Sequence, residues 1–377
     1  LIVCPLNLHC LVSDVPLGAF LSGGLDSSAI VAVMTKCGVD PVNTFTAGFS
    51  RLGETCESEW AKVVADHFGC RHNLIDLTPQ GFLDSLDKMV GHTEEPLVEA
   101  SGIALFHLAL AARPNTPVIL SGEGADEIFG GYGLYRRMLM IEALHRHTPR
   151  PSSLPPWLRR NCGDAIVKYT DWMSQPLEQR YRGTSALLTS GLRDRYYDPD
   201  FAGAAGTYLD ESFQRHFSQI SSCRDPLTRM LYVDMKTWLA DDLLLKADKM
   251  TMAASVELRV PFLDHRLVEC AFQIPSSLKI RRSEGKWILK RAMEARLPKE
   301  VVWRRKMGFS VPVKKWFQES MRPLLRERLL DSNTLPWIRR DAVVDLIEND
   351  RASSETRTRL LMSLLILDSW QRLHLKE

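Results

Sequence analysis

The run Ser22-Gly23-Gly24-Leu25-Asp26-Ser27-Ser28 gathers two glycines, three hydroxyls and a carboxylate in seven residues. Paired glycines permit positive φ and close backbone approach, so successive N–H groups can converge on one anion. The serines add donors, and Asp26 offers a hard oxygen to a magnesium ion carried by phosphates. The spacing fits neither the G-x-x-x-x-G-K-[ST] phosphate loop nor the G-x-G-x-x-G dinucleotide turn. A bare S-G-G would be no more than a turn, with Ser27 capping the helix behind it. The full S-G-G-x-D-S behind an apolar strand points instead to phosphate chemistry.

A second run, Ser121-Gly122-Glu123-Gly124-Ala125-Asp126-Glu127, continues into Ile128-Phe129-Gly130-Gly131-Tyr132. Three acids within five residues repel one another unless a cation or cationic partner offsets them. Asp126 could share a magnesium ion with Asp26, and Glu123 could face a reacting carboxylate or nucleophile. The competing reading is a helix start with acids at its positive end. Two such runs behind two strands of one sheet favour a site. Farther on, Arg259 and Lys306 would ordinarily be surface ion-pair partners. Lys306 stands two residues before Gly308, where backbone can approach a ligand, and Arg259 could hold a carboxylate through a bidentate pair.

The elements that carry these loops follow from hydrophobic periodicity. Strands are expected at 17–21, 44–49, 72–77 and 117–121, and helices at 27–37, 60–68, 83–90 and 103–112. Alternation of this kind predicts an α/β fold, a doubly wound, mainly parallel sheet with helices on both faces and its ligand beyond the strand C-termini. The turn-rich segment 148–156 reads as a linker. From Trp157 the pattern is helical with almost no strand signal, and 227–249 and 360–373 are the clearest helices. The expected organisation is therefore an α/β nucleotide-binding half over 1–148 and a mainly helical half over 149–377.

Composition excludes several classes. A net charge of +2 advertises neither nucleic acid nor an acidic membrane. Eight cysteines without a C-x-x-C pair argue against a zinc ribbon or a disulfide framework, and suit a reduced, cytoplasmic protein. The apolar start, Leu1 to Leu6, is too short to span a membrane and lacks the basic flank of a signal peptide.

S-G-G-x-D-S resembles the pyrophosphate loop of the ATP pyrophosphatases, which cleave ATP between the α and β phosphates. S-G-G-L-D-S-S, S-G-E-G-A-D-E-x-F-G-G-Y, K-A-D-K-M-T-M-A-x-S-x-E-x-R-V-P-F-L-D-H and W-R-x-K-x-G-F, in this order, resemble the synthetase domain of glutamine-dependent asparagine synthetases. The likeness runs from about Ser13 to the C-terminal helix. It implies that Leu21, Ala47, Ser121 and Gly122 contact ATP, largely through backbone, and that Ser22, Gly23, Gly24, Asp26 and Ser27 cradle pyrophosphate. Asp26 and Asp126 would bind Mg2+. Glu123 would serve formation of a β-aspartyl-AMP intermediate, and Lys306 would stabilise charge on the α-phosphate. The implied substrates are ATP, aspartate and ammonia, the ammonia normally released from glutamine.

Such enzymes carry a preceding glutaminase domain with a catalytic cysteine. None is expected in this sequence, where Cys4 reads as an incidental thiol, and the start at Leu1 rather than Met gives the expectation of a truncated or mis-joined gene product. A glutaminase domain or subunit and a second copy of the chain are the macromolecular partners the resemblance admits. Two other readings stay open. One is a related amidotransferase acting on a sugar acid or peptide carboxylate, with 95–101 as the acceptor side; the other is a non-catalytic nucleotide-binding remnant.

Overall fold

A computed structural model describes residues 9–49, 57–147, 164–184, 196–306, 311–331, 335–348 and 355–375. The expected linker at 148–156 lies outside them. The chain forms two compact units, the first comprising 1–125, 242–271 and 289–377 and the second 126–241 and 272–288. The sheet-bearing unit thus takes up residues from both of the expected halves.

In the first unit β1 (Leu17–Phe20), α1 (Leu25–Lys36), β2 (Asn43–Gly48), α2 (Glu57–His67), β3 (Arg71–Asp76), α3 (Pro79–Thr93), α4 (Ser101–Ala112) and β4 (Val118–Leu120) follow in alternation. Later segments add α5 (Leu245–Ala253), β5 (Glu257–Arg259) and α6 (Glu355–His374). The five strands are parallel in the order β3-β2-β1-β4-β5. Strands β1 and β4 are buried almost throughout, which is why they read as continuous apolar runs rather than alternating ones. Helix α3 opens with Pro79 behind Thr78, whose hydroxyl accepts from Gly81 N at 3.1 Å. Helix α4 is apolar on nearly every side and packs against α5 and the sheet.

Two expectations need correction. Strand β5 lies where almost no strand signal was expected; Glu257-Leu258-Arg259 has no apolar run and is a strand because it pairs with β4. The helix expected over 227–249 is broken. One helix ends at Lys236, Thr237 turns away from helical geometry, and a π-helical stretch at Trp238–Leu244 leads into α5.

The second unit is helical around an apolar core that includes Tyr135, Tyr181, Leu227, Met230 and Leu231. Within it Asp234 accepts from Tyr135 Oη and Tyr181 Oη, both at 2.6 Å. Burial nevertheless pushes its carboxyl up to about 7.

Strand order places the functional loops. The chain lays β2 and β3 on one side of β1, then returns to set β4 on the other. Neighbouring strands whose connections leave in opposite directions open a crevice at their C-terminal ends. The loops after β1 and β4 are the two glycine-rich runs.

Candidate active site

Helix α1 begins at Leu25, two residues before the expected start. Gly24 occupies its cap position in an extended conformation (φ −77°, ψ 161°), and no side chain caps the first turn. Such a helix end presents backbone N–H groups and the positive end of its dipole to an anion. Ser27 turns back instead: its Oγ accepts from Ser22 N at 3.2 Å, meets Ser22 Oγ at 3.2 Å and donates to Gly24 O at 3.3 Å. At Gly23, φ is +66°, and a side-chain carbon there would overlap the backbone of Trp60 and Ala61 on α2. Helix α2 therefore walls the loop. Leu21 N donates to Phe45 O at 2.9 Å, and the Thr46 hydroxyl donates to Leu21 O, so β2 holds the strand end that feeds the loop. Ala47 lies on β2, paired with Ile75.

The second loop is fastened to the first. Ser121 N donates to Arg259 O at 2.9 Å. Gly122 lies so close to the start of α1 that an added Cβ would stand 2.8 Å from Ser27 N and 2.9 Å from the Asp26 carbonyl carbon. Only glycine lets these two backbones meet. Ser22 to Ser27 and Ser121 to Gly122 thus form one continuous surface at the switch point between β1 and β4.

Glu123 follows Gly122 in the second loop; its Oε2 is buried and makes no hydrogen bond among the described residues. Burial pushes its carboxyl up, and the Lys246 ammonium pulls it the other way. Lys246 is itself buried on α5; its Nζ donates to Ser101 Oγ at 3.3 Å, and its stem lies against Gly102. Ser101 Oγ in turn donates to Glu99 Oε2 at 3.5 Å. Asp242 is pushed up to about 6, first by burial and then by Glu99, against the charges of Lys246 and Arg359. The segment 95–101 is thereby linked to Lys246 and, through its charge, to Glu123. Lys246 opens the run K-A-D-K-M-T-M-A. A lone lysine in a helical run carries no sign of burial, so only the folded chain reveals it.

Other expected residues stand differently. Arg259 Nε donates to Glu257 Oε1 at 2.7 Å, and its Nη1 donates to Cys10 O at 2.9 Å and Val12 O at 2.7 Å. These contacts tie the N-terminal segment to the sheet edge. Within the second unit, Asp126 Oδ1 accepts from Lys286 Nζ at 2.7 Å, a pair that is nearly buried. Beside it Glu127 is pushed up to about 8, first by burial and then by Asp126, while accepting from Tyr132 Oη at 2.6 Å. Lys306 is exposed just beyond the helix Lys299–Trp303. Gly308 and Phe309 of its motif lie outside the described residues. Among the described residues no three His, Cys, Asp or Glu side chains gather to hold a metal ion. Magnesium carried by a nucleotide needs only one or two protein carboxylates beside the phosphates.

No helix among the described residues is long and apolar enough to cross a membrane, and Cys10, Cys70, Cys223 and Cys270 are free thiols. Comparison with known families matches residues 8–372 to asparagine synthase. Among curated proteins, asparagine synthetase [glutamine-hydrolyzing] 1 of Bacillus subtilis is 34% identical over 383 residues, covering 98% of this chain and 58% of the relative. A putative asparagine synthetase [glutamine-hydrolyzing] of Mycobacterium tuberculosis is 35% identical over 372 residues, covering 95% and 54%. Amidase chyE of Penicillium rubens is 26% identical over 340 residues, covering 81% and 51%. The chain spans little more than half the length of these relatives.

Proposed function

The chain belongs to the asparagine synthase family, and from that premise we propose that it amidates aspartate to asparagine with ATP through a β-aspartyl-AMP intermediate. The observation that carries this reading is the seating of Gly122 on the Asp26–Ser27 backbone. It joins an uncapped helix end, suited to pyrophosphate, to the loop that bears Glu123. In the proposed sequence the β-carboxylate oxygen of aspartate attacks the α-phosphorus and pyrophosphate departs. Ammonia then attacks the acyl carbon, loses a proton and displaces AMP.

The uncapped first turn of α1, with the Ser27 backbone N–H, and the Ser22 hydroxyl hold the β and γ phosphates. Leu21, Ala47, Ser121 and Gly122 contact the nucleotide through backbone. Asp26 is the carboxylate assigned to magnesium, which would neutralise phosphate charge. Glu123 faces the reacting centre, its charge offset in part by Lys246, and Lys306 offsets charge that develops on the α-phosphate. Fixed charges of this kind, aimed at a transition state, are commonly the largest catalytic contribution. Relatives are named as glutamine-hydrolysing; ammonium added directly tests the amidation step whatever releases the ammonia.

The test is exchange of labelled pyrophosphate into ATP with a panel of carboxylates. Exchange should require aspartate and fall at least about a hundredfold in Asp26→Ala. Exchange with another acid alone would replace aspartate as acceptor, a reading kept in view by the similarity to a fungal amidase. Nucleotide binding without any exchange would leave a binding protein.

A further inference from the structure

We propose that Arg304 is a positioning residue, a latch that fixes the Trp303–Lys306 segment against α2 and so sets where Lys306 stands relative to the pyrophosphate loop. The proposal rests on the functional reading above for the role of Lys306, but the latch itself is a matter of geometry.

Arg304 Nη2 lies 3.4 Å from Glu57 Oε1, in the first turn of α2, and both side chains are largely buried. The same guanidinium lies over the Trp60 ring, with 5.3 Å between its carbon and the ring centroid. Trp60 is the residue whose backbone abuts Gly23, so one turn of α2 touches both the phosphate loop and the latch. The preceding residue is fastened elsewhere: Trp303 Nε1 donates to Glu294 Oε1 at 3.0 Å, and Lys290 Nζ lies 5.1 Å from the centre of its ring. Consecutive side chains gripped by different supports leave the backbone little freedom of direction. Lys306 follows two residues later.

The chemistry of the latch calls for arginine. A guanidinium can lie flat on an indole while its edge pairs with a carboxylate, whereas lysine offers a point charge on a flexible stem. Burial pushes the Glu57 carboxyl up to about 7 against the opposing pull of Arg304, so Glu57→Gln is the milder lesion and Arg304→Ala the severe one.

Two measurements test this together. Amide hydrogen exchange across 299–306 should quicken about tenfold or more in Arg304→Ala, with Arg304→Lys in between. In aspartate-dependent pyrophosphate exchange, Arg304→Ala should lower kcat about 10- to 100-fold while the KM for ATP stays within about twofold. In a Lys306→Ala background the same substitution should add little, because Arg304 acts through Lys306. Unchanged hydrogen exchange in 299–306, or equal losses of kcat in the two backgrounds, would overturn the proposal. If Arg304→Ala fails to fold, Arg304→Lys carries the same comparison. The hydrogen-exchange arm needs no turnover, so an inactive wild type would count against the functional reading and leave the latch decided by that arm.

Discussion

Gly23→Ala is expected to lower pyrophosphate exchange at least about a hundredfold while the protein still folds. Two effects combine at this position. The backbone has φ +66°, a conformation that costs a residue with a Cβ about 1–2 kcal/mol. More importantly, the new methyl would overlap the backbone of Trp60 and Ala61. A clash with a side chain can be relieved by a rotamer change; a clash with a helix backbone cannot. Either the loop or α2 must shift by on the order of 1 Å, and misplacement of that size costs about 10²-fold in rate. Gly24→Ala is the matched control. Its φ is −77°, and the nearest atom to an added Cβ is the movable Ser22 Oγ at 3.3 Å. Its effect should stay within a few-fold. Equal effects at the two positions, measured on protein with intact thermal unfolding, would contradict the role given to the loop.

The second large effect is expected at Glu123. Glu123→Gln preserves shape and removes charge, and should lower kcat by about 10²–10⁴-fold with the KM for ATP nearly unchanged. The argument is electrostatic. A carboxylate with one oxygen buried and without a hydrogen-bond partner among the described residues is costly to maintain. The neighbouring Lys246 ammonium offsets part of that cost and favours the charged form. If Glu123 only held the fold, Glu123→Gln would change the unfolding temperature and leave kcat where it was. Steady-state kinetics beside thermal unfolding separates the two outcomes.

What could be foreseen from the sequence follows from how local each feature is. Strands β1 to β4 fell within a residue or two of expectation because each is a short run bounded by loop residues. Both glycine-rich loops were identifiable since glycine and acid together mark a backbone that meets charge. The missing pieces all depend on tertiary partners. Glu257-Leu258-Arg259 is a strand only through its register with β4. The helical period continues through 237–244, so nothing local announces the π-helical stretch before α5. Ser27 has the composition of a helix cap, yet Gly24 holds the cap position of α1 without capping it and Ser27 folds back on Ser22. Lys246 and Arg304 each sit in a motif that was noticed, but their partners Ser101, Glu57 and Trp60 are far away in the chain. Arg259 shows the converse. Its side chain anchors the N-terminal segment, and its backbone carbonyl holds Ser121, a contribution no side-chain pattern could suggest.

The central claim, that a carboxylate is adenylated here, is tested most directly by following oxygen. Aspartate labelled with 18O in its β-carboxylate is incubated with the protein, ATP, magnesium and ammonium, and the AMP is analysed by mass spectrometry. Attack of that carboxylate on the α-phosphorus leaves the bridging oxygen on AMP when ammonia displaces it. The account predicts AMP carrying one labelled oxygen for each asparagine formed. Asparagine formed together with unlabelled AMP, or with ADP and phosphate in place of AMP and pyrophosphate, would contradict it.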